Sequence, residues 1–166
     1  MVLSPELEHV IEGGLSLDRT FDNGLSIEAT ATYATASEES GLAEFDDLRA
    51  IGAGLEIGMG DFTLGGSYLN SNNGLQKGDY ESYDVGLQWK PGRFGASLGY
   101  GHATDENARL TSDQGTFGMS YDVTKNFQLG TGVQYIEREI SAESGGILGL
   151  KTEKATAIFI EGGFKF

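Results

Sequence analysis

The sequence predicts an all-β fold, an antiparallel transmembrane β-barrel whose strands follow one another as a meander. Three observations predict it. Apolar residues recur at every second position in segment after segment, aromatic residues collect at both ends of these segments, and the alternate positions are rich in glycine. Residues 1–166 fit a single β-barrel domain.

The period of two defines the strands. In the clearest segment Leu25, Ile27 and Tyr33 share one face, whereas Ser26 and Glu28 point to the other. About nine strands of this kind are predicted, and no segment has the period of an amphipathic helix. They lie near residues 9–21, 24–35, 48–59, 61–70, 81–90, 93–103, 114–123, 126–138 and 153–166.

Short and long connections alternate along the chain. The short ones lie at residues 22–24, 60–61, 91–92 and 124–125, and most contain the Gly, Asp, Asn or Pro that hairpin turns use. The long ones are polar, as expected of loops at the other end of a barrel. None is evidently long enough to fold into a barrel, so no constriction is expected.

Aromatic residues occupy both ends of the apolar face, with aliphatic and small residues between them. Two aromatic bands of this kind match the two interfaces between lipid and water, whereas the core of a soluble β-sandwich would hold its aromatic residues centrally. The strands are also about as long as the ~9–11 residues that cross a bilayer. The predicted interface residues are Tyr33, Tyr68, Tyr83, Trp89, Phe94, Tyr100, Tyr121, Phe127 and Tyr135.

Composition excludes several classes of protein. The chain has no cysteine, which excludes a disulfide framework and a thiolate metal site. Its net charge of −14 argues against a nucleic-acid partner and favours contact with cations. Its 26 glycines weaken strands in water but suit the concave wall of a barrel, where space is limited.

The chain ends on EGGFKF, an aromatic end to a strand with one apolar face. Ile160, Phe164 and Phe166 lie on that face. This strand resembles the C-terminal signature of Gram-negative outer-membrane barrels, which implies recognition by the barrel-assembly machinery at these three residues. The alternative is an ordinary edge strand with aromatic ends.

The stretches YDVGLQWKPGRFGASLGYGHAT and GTFGMSYDVTKNFQLGTGVQYIERE resemble the C-terminal part of general porins. The resemblance implies a passive diffusion channel for small hydrophilic solutes in the outer membrane, usually a trimer, with about 16 strands. Nine strands is an odd number, whereas single-chain bacterial barrels have even ones. The chain is therefore interpreted as the C-terminal part of a larger porin barrel. The alternative is a small barrel of about 8–10 strands that is closed and displays acidic loops.

Charged residues at alternate positions would line the lumen of such a channel and set its ion preference. In a small closed barrel the same residues would form internal salt bridges. The acidic outer loops predict a weak preference for cations. The predicted pore-lining residues are Asp18, Glu28, Glu56, Asp84, Lys90, Arg93, Arg138, Glu161 and Lys165.

Catalysis finds little support. His102 precedes Asp105 and Ser112, which could seed a Ser/His/acid site, but no Gly-x-Ser-x-Gly turn is present. The acidic loops lack the spacing of known calcium loops, so a solvated surface is expected there. We therefore predict no enzyme activity, no cofactor and no metal.

Overall fold

The computed structural model describes residues 5–140 and 152–164 as one nine-stranded antiparallel sheet. Each strand pairs with the next in sequence, which confirms the predicted all-β meander. The strands are β1 (Leu7–Thr20), β2 (Leu25–Glu38), β3 (Leu48–Met59), β4 (Phe62–Ser71), β5 (Tyr80–Trp89), β6 (Phe94–Asp105), β7 (Leu110–Thr124), β8 (Phe127–Ile140) and β9 (Thr152–Phe164). In the ranges described, no helix is long and apolar enough to cross a membrane.

Tight turns join the strands at one end of the sheet, which we call the turn end. Gly24, Gly60 and Gly92 have positive φ angles of 82°, 60° and 64° there, a conformation that favours glycine. At the other end, the loop end, the connections are residues 39–47, 72–79 and 106–109, together with a segment outside the described residues.

The register gives the sheet two unlike faces. On the apolar face Ile27 pairs with Ile57, which pairs with Leu64. On the polar face Thr30 pairs with Gly54. Because directly paired residues point the same way, the alternation seen in each strand continues across the whole sheet.

Glycines on the polar face lie under side chains of the neighbouring strand. A Cβ added at Gly54 would lie 2.8 Å from Oγ1 of Thr30, and one added at Gly99 would lie 2.7 Å from Oγ1 of Thr116. Gly118 has the same relation to Oγ of Ser97, at 2.8 Å. Glycine here leaves room for the hydroxyl of a side chain on the next strand. The polar face therefore carries hydroxyl groups that lie directly over glycines of the neighbouring strand.

The sheet itself has no buried core. Large apolar side chains on the apolar face are exposed, among them Leu55, Leu64, Leu98 and Ile160. Apart from glycines, the buried residues of the described chain are Ala36, Phe45 and Ser71, and all of them lie at the loop end. A soluble sandwich would cover such a face, so its exposure requires a partner phase or partner surface.

The outer strands β1 and β9 form the two edges of the sheet. Within the described residues neither pairs with a second strand. They carry the most exposed apolar side chains of the described chain, with Leu15 at 80% and Ile160 at 83% against 50% for Leu55 in β3. With nine strands in an antiparallel meander, β1 and β9 run in the same direction.

Several strands extend beyond the predicted bounds at the loop end. Strand β2 continues to Glu38 and β7 begins at Leu110, three or four residues outside their predicted ranges. Most of the extra residues are polar, and they still pair in register, as where Ser112 lies opposite Arg138. Backbone pairing therefore continues past the point where the apolar pattern ends.

Candidate functional site

Three carboxylates lie side by side on the polar face. Asp18 of β1 pairs with Glu28 of β2, which pairs with Glu56 of β3. Carboxylates placed directly opposite each other repel and destabilise a sheet unless water or cations screen them. This row therefore requires a wet environment and concentrates negative charge in one part of the face.

A fourth predicted residue, Asp84 of β5, lies near this row. It pairs with Ser67, whose hydroxyl donates a hydrogen bond to the carboxylate. Glu28, Glu56 and Asp84 all line one open groove on the polar face, with a volume of about 560 Å³. The structure thus brings the three predicted acidic residues of the central strands to a single wall.

The predicted cations lie away from that wall. Nζ of Lys90 is 3.4 Å from the Asp122 carboxylate at the turn end, and the carbonyl of Arg93 accepts a hydrogen bond from the Asp122 amide. Arg138 lies at the loop end, opposite Glu153. Among the described residues, no ion pair joins Lys90, Arg93 or Arg138 to the row of Asp18, Glu28 and Glu56.

One further predicted residue belongs to the last strand. Glu161 lies opposite Gly130 on the polar face, and its Oε1 would be 2.6 Å from a Cβ added there. Lys165 lies outside the described residues. Glu161 is thus separated from the row of carboxylates by several strands.

All nine predicted interface aromatics lie on the apolar face. Several make ring contacts: the Trp89 centroid is 6.3 Å from Phe62 and 6.2 Å from Phe94, and that of Tyr83 is 6.4 Å from Tyr100. The residues concerned are Tyr33, Tyr68, Tyr83, Trp89, Phe94, Tyr100, Tyr121, Phe127 and Tyr135. They form one band near the loops and one near the turns.

Residues that pair directly across successive strands form rows across the sheet. Both aromatic bands are inclined to these rows. The row that starts at Tyr33 in β2 reaches β8 at Glu139, four residues from Tyr135. The row that starts at Phe62 in β4 reaches β8 at Thr131, four residues from Phe127. Both displacements are toward the turn end, so the two bands are inclined in the same sense.

This inclination has a simple geometric meaning. With ~3.3 Å per residue and ~4.8 Å between strands, four residues over four to six strands is a slope of about 25–35°. Strands in a membrane barrel are tilted by about 35–45°, so a level line around it crosses the strands obliquely. Bands that follow a level interface would show an inclination of this kind.

The C-terminal strand carries two of the three residues attributed to an assembly signal. Ile160 and Phe164 lie on the apolar face of β9, opposite Thr131 and Phe127. The rings of Phe164 and Phe127 are stacked with centroids 4.7 Å apart. Phe166 lies outside the described residues.

His102 and Ser112, which the sequence suggested as a Ser/His pair, lie on opposite faces of the sheet. His102 lies on the apolar face, where its Nδ1 is 2.9 Å from Oδ1 of Asp113, whereas Ser112 lies on the polar face. Because opposite faces of a strand point apart, His102 and Ser112 do not form a Ser/His pair. His102 instead contacts Asp113, which sequence analysis did not single out, and its ring stacks on that of Tyr83 with centroids 5.2 Å apart.

The structure also brings together three side chains that could bind a metal ion, a group that sequence analysis did not predict. Glu8, His9 and Glu39 are exposed and bring their ligating atoms within 4.8 Å of one another. They come together because β1 has an irregularity between Glu8 and Ile11, where His9 takes a φ of 51°. Only the pairing of β1 with β2 could have revealed this group, since Glu39 is distant in sequence.

Comparison with known proteins identifies a family. A family model described as Gram-negative porin matches residues 7–141. A search of curated proteins found no match, and neither did a search of solved structures.

Proposed function

Because this chain belongs to the Gram-negative porin family, we propose that it forms the wall of a water-filled channel in the outer membrane. The channel passes small hydrophilic solutes and ions by passive diffusion, with a weak preference for cations. Residues 1–166 act as the C-terminal part of a larger porin barrel. The polar face lines the lumen and the apolar face contacts lipid.

The contrast between the two faces carries this proposal. The apolar face exposes its large side chains between two inclined aromatic bands, as a surface in contact with lipid does. The polar face holds glycine, hydroxyl groups and charges, which suit water. A sheet with both properties separates lipid from water.

Cation preference follows from the row of Asp18, Glu28 and Glu56. Neighbouring strands are ~4.8 Å apart, which is less than the Debye length of ~8 Å at physiological salt, so the fields of these carboxylates add. A lumen wall of this kind raises the local concentration of cations and lowers that of anions. The net charge of −14 acts in the same direction.

The direction of the edge strands supports a larger barrel. In hydrocarbon an unpaired strand edge costs several kcal/mol per backbone group, so a spanning sheet must close. Since β1 and β9 run the same way, closure with antiparallel pairs throughout needs an odd number of further strands. Nine strands and an odd number of others give the even total usual for bacterial barrels.

Partners follow from the family and from the exposed surfaces. Outer-membrane lipid would cover the apolar face, and the assembly machinery would bind the last strand through Ile160, Phe164 and Phe166. A trimer is the oligomeric state that the resemblance to general porins implies. Small hydrophilic solutes and cations would be the species that pass.

Current across a planar bilayer tests the proposal, measured on the complete barrel that contains residues 1–166 and with a salt gradient to read ion preference. We expect stable current steps and a reversal potential on the cation side. Glu56→Lys should move that potential toward anions, because it changes the central row from three carboxylates to two and an ammonium. Glu81→Lys is the matched control, since Glu81 lies on the apolar face near the loops and should have a smaller effect.

Two other results would contradict parts of this proposal. A folded, heat-resistant protein that gives no current would contradict the channel and favour a closed barrel that displays its loops. An equal effect of the two lysine substitutions would place the row of carboxylates outside the conducting path.

A further inference from the structure

Phe159 places an aromatic ring on the polar face of the sheet, near the middle of β9. It lies opposite Gly132, whereas its neighbours along the strand, Ile158 and Ile160, point to the apolar face. The nine predicted interface aromatics all lie on that other face, so the ring of Phe159 belongs to neither aromatic band. Sequence analysis did not single out this residue.

The ring of Phe159 leans over a glycine of the neighbouring strand. A Cβ added at Gly132 would lie 2.9 Å from Cε1 of Phe159, so the ring occupies space that a side chain at this position would fill. The backbone of Phe159 is held as well, because the Thr131 hydroxyl donates to its carbonyl at 3.0 Å. The side chain of Phe159 is nevertheless 43% exposed, so part of its surface faces the proposed lumen.

A carboxylate lies beside this ring. Glu161 is the next residue of β9 that points to the polar face, so its Cα lies about 7 Å from that of Phe159. Its side chain leans over Gly130 in the same way, with Cγ 2.8 Å from a Cβ added there. Among the described residues, no ion pair involves Glu161. An exposed ring and a carboxylate without a described cationic partner are therefore neighbours.

Phe159 and Glu161 line an open groove of about 330 Å³ on the polar face. Gln88, Ser97 and Lys90 also line it. Nζ of Lys90 lies 3.4 Å from the carboxylate of Asp122, and this contact offsets its charge. The groove thus offers a small solute one aromatic surface, one carboxylate and several neutral polar groups.

The groove lies at about the same depth as the row of carboxylates on β1, β2 and β3. The row of paired residues through Glu56 reaches β9 at Ala157. The tyrosine band is displaced by four residues toward the turn end over the same number of strands, so a level line from Glu56 meets β9 near Glu161. Cations that the row of carboxylates concentrates would therefore be present at the height of the groove.

A ring beside a carboxylate suits an organic ammonium ion. A cation within about 6 Å of an aromatic centroid is attracted to the negative face of the ring, and quaternary ammonium groups are recognised in this way. Alkali ions hold their water strongly, whereas an alkylated ammonium ion is larger and loses water at lower cost. A neutral sugar would also contact the ring, but it would gain nothing from the negative charge of the wall.

We propose that Phe159 and Glu161 form a binding site for small organic ammonium ions on the wall of the lumen. The ring contacts the alkyl groups of the ion, and the carboxylate attracts its charge. This site distinguishes organic from inorganic cations, which the row of carboxylates does not. Its role in transport rests on the proposed channel, whereas binding itself needs no current.

The first test measures binding of choline to the complete barrel folded in detergent, by the NMR shift of its methyl protons. We expect an upfield shift, because protons over the face of an aromatic ring lie in its ring current. The analogue of choline in which carbon replaces the quaternary nitrogen is uncharged, and it should bind about fivefold more weakly. Phe159→Leu should remove the upfield shift and weaken choline binding about fivefold, and Glu161→Gln should weaken it by a similar factor.

The chain offers a matched control on the other face. Phe117 is 42% exposed and lies on the apolar face opposite Leu98, so Phe117→Leu should bind choline as the unaltered protein does. Phe159→Tyr keeps an aromatic ring and should retain binding. The gel mobility of unheated samples checks that each variant is folded.

The second test reads the effect of the site on transport. In the unaltered protein the choline current should saturate at a lower choline concentration than in Phe159→Leu, because a bound ion delays the next one. The reversal potential in a gradient of potassium chloride should be the same in both, because this substitution changes no charge.

The outcomes separate the site from the channel. Unchanged choline affinity in Phe159→Leu, or equal affinity for choline and its uncharged analogue, would overturn the site whatever the currents show. Displacement of choline by an equal concentration of glucose would assign the ring to sugars and also overturn it. Binding that depends on Phe159, with no current from any variant, would retain the site but refute the proposed channel. Stable currents with equal choline saturation in the two proteins would retain the channel and overturn the role of the site in transport.

Discussion

The two faces of the sheet are made by the same strands, yet they differ in the space and in the environment that they offer to a side chain. On the apolar face Leu98 is 63% exposed, and a Cβ added at Gly115 would meet nothing within 4 Å. On the polar face a Cβ added at Gly132 would lie 2.7 Å from the Phe117 carbonyl oxygen. At these two glycines the apolar face has room for a side chain and the polar face has little, and the proposed contact with lipid makes a charge costly on the central part of the apolar face.

This difference predicts a large effect for charge on the apolar face. Leu98→Arg should cost about 2–4 kcal/mol of folding free energy in lipid if Leu98 lies near the middle of the membrane. The free energy of unfolding in vesicles would be measured by urea titration, with the gel mobility of unheated samples as the readout.

The neighbouring residue supplies the control. Ser97 lies on the polar face next to Gln88, so Ser97→Arg should fold in vesicles nearly as well as the parent chain. Equal loss of folding in both variants would contradict the assignment of the faces to lipid and water.

Glycine positions give a smaller effect. Gly132→Ala should destabilise the protein by about 1–3 kcal/mol, because the new methyl group would overlap the Phe117 carbonyl and the Phe159 ring. Gly115→Ala, on the adjacent strand, should be neutral or stabilising by up to ~1 kcal/mol, because it restricts the unfolded chain. The same urea titration measures both, and a cost for Gly115→Ala as large as that for Gly132→Ala would show that the apolar face is as crowded as the polar one.

The sequence predicted the faces well because they depend on local alternation. Alternate residues of a strand point to opposite faces. Glu56 could therefore be assigned to the polar face and Leu98 to the apolar face before any strand pairing was known. Strand number and topology followed from the same pattern and the short turns. The row formed by Asp18, Glu28 and Glu56 needed the register as well, which turn lengths only partly determine.

The loops could not be predicted in this way. The contact between Phe45 and Leu75, and the bonds that Asn72 makes to both loops, join residues with no shared periodicity. Such contacts depend on where neighbouring strands end, and sequence analysis placed the ends of β2 and β7 several residues short. The contact of His102 with Asp113 was missed for a similar reason, since it joins adjacent strands.

The smallest predicted effect concerns the tyrosine band near the loops. The Tyr100 hydroxyl donates to Asp113 at 2.5 Å, and Asp113 keeps His102 as a second partner. Tyr100→Phe should therefore lower the free energy of unfolding by about 0.5–1.5 kcal/mol. Within the described part of the chain the Tyr33 hydroxyl has no hydrogen-bond partner, so Tyr33→Phe should change stability less. If Tyr33→Phe lowers the free energy of unfolding as much as Tyr100→Phe does, the bond to Asp113 adds nothing measurable. The tyrosine hydroxyls would then stabilise the protein through their contact with the membrane interface.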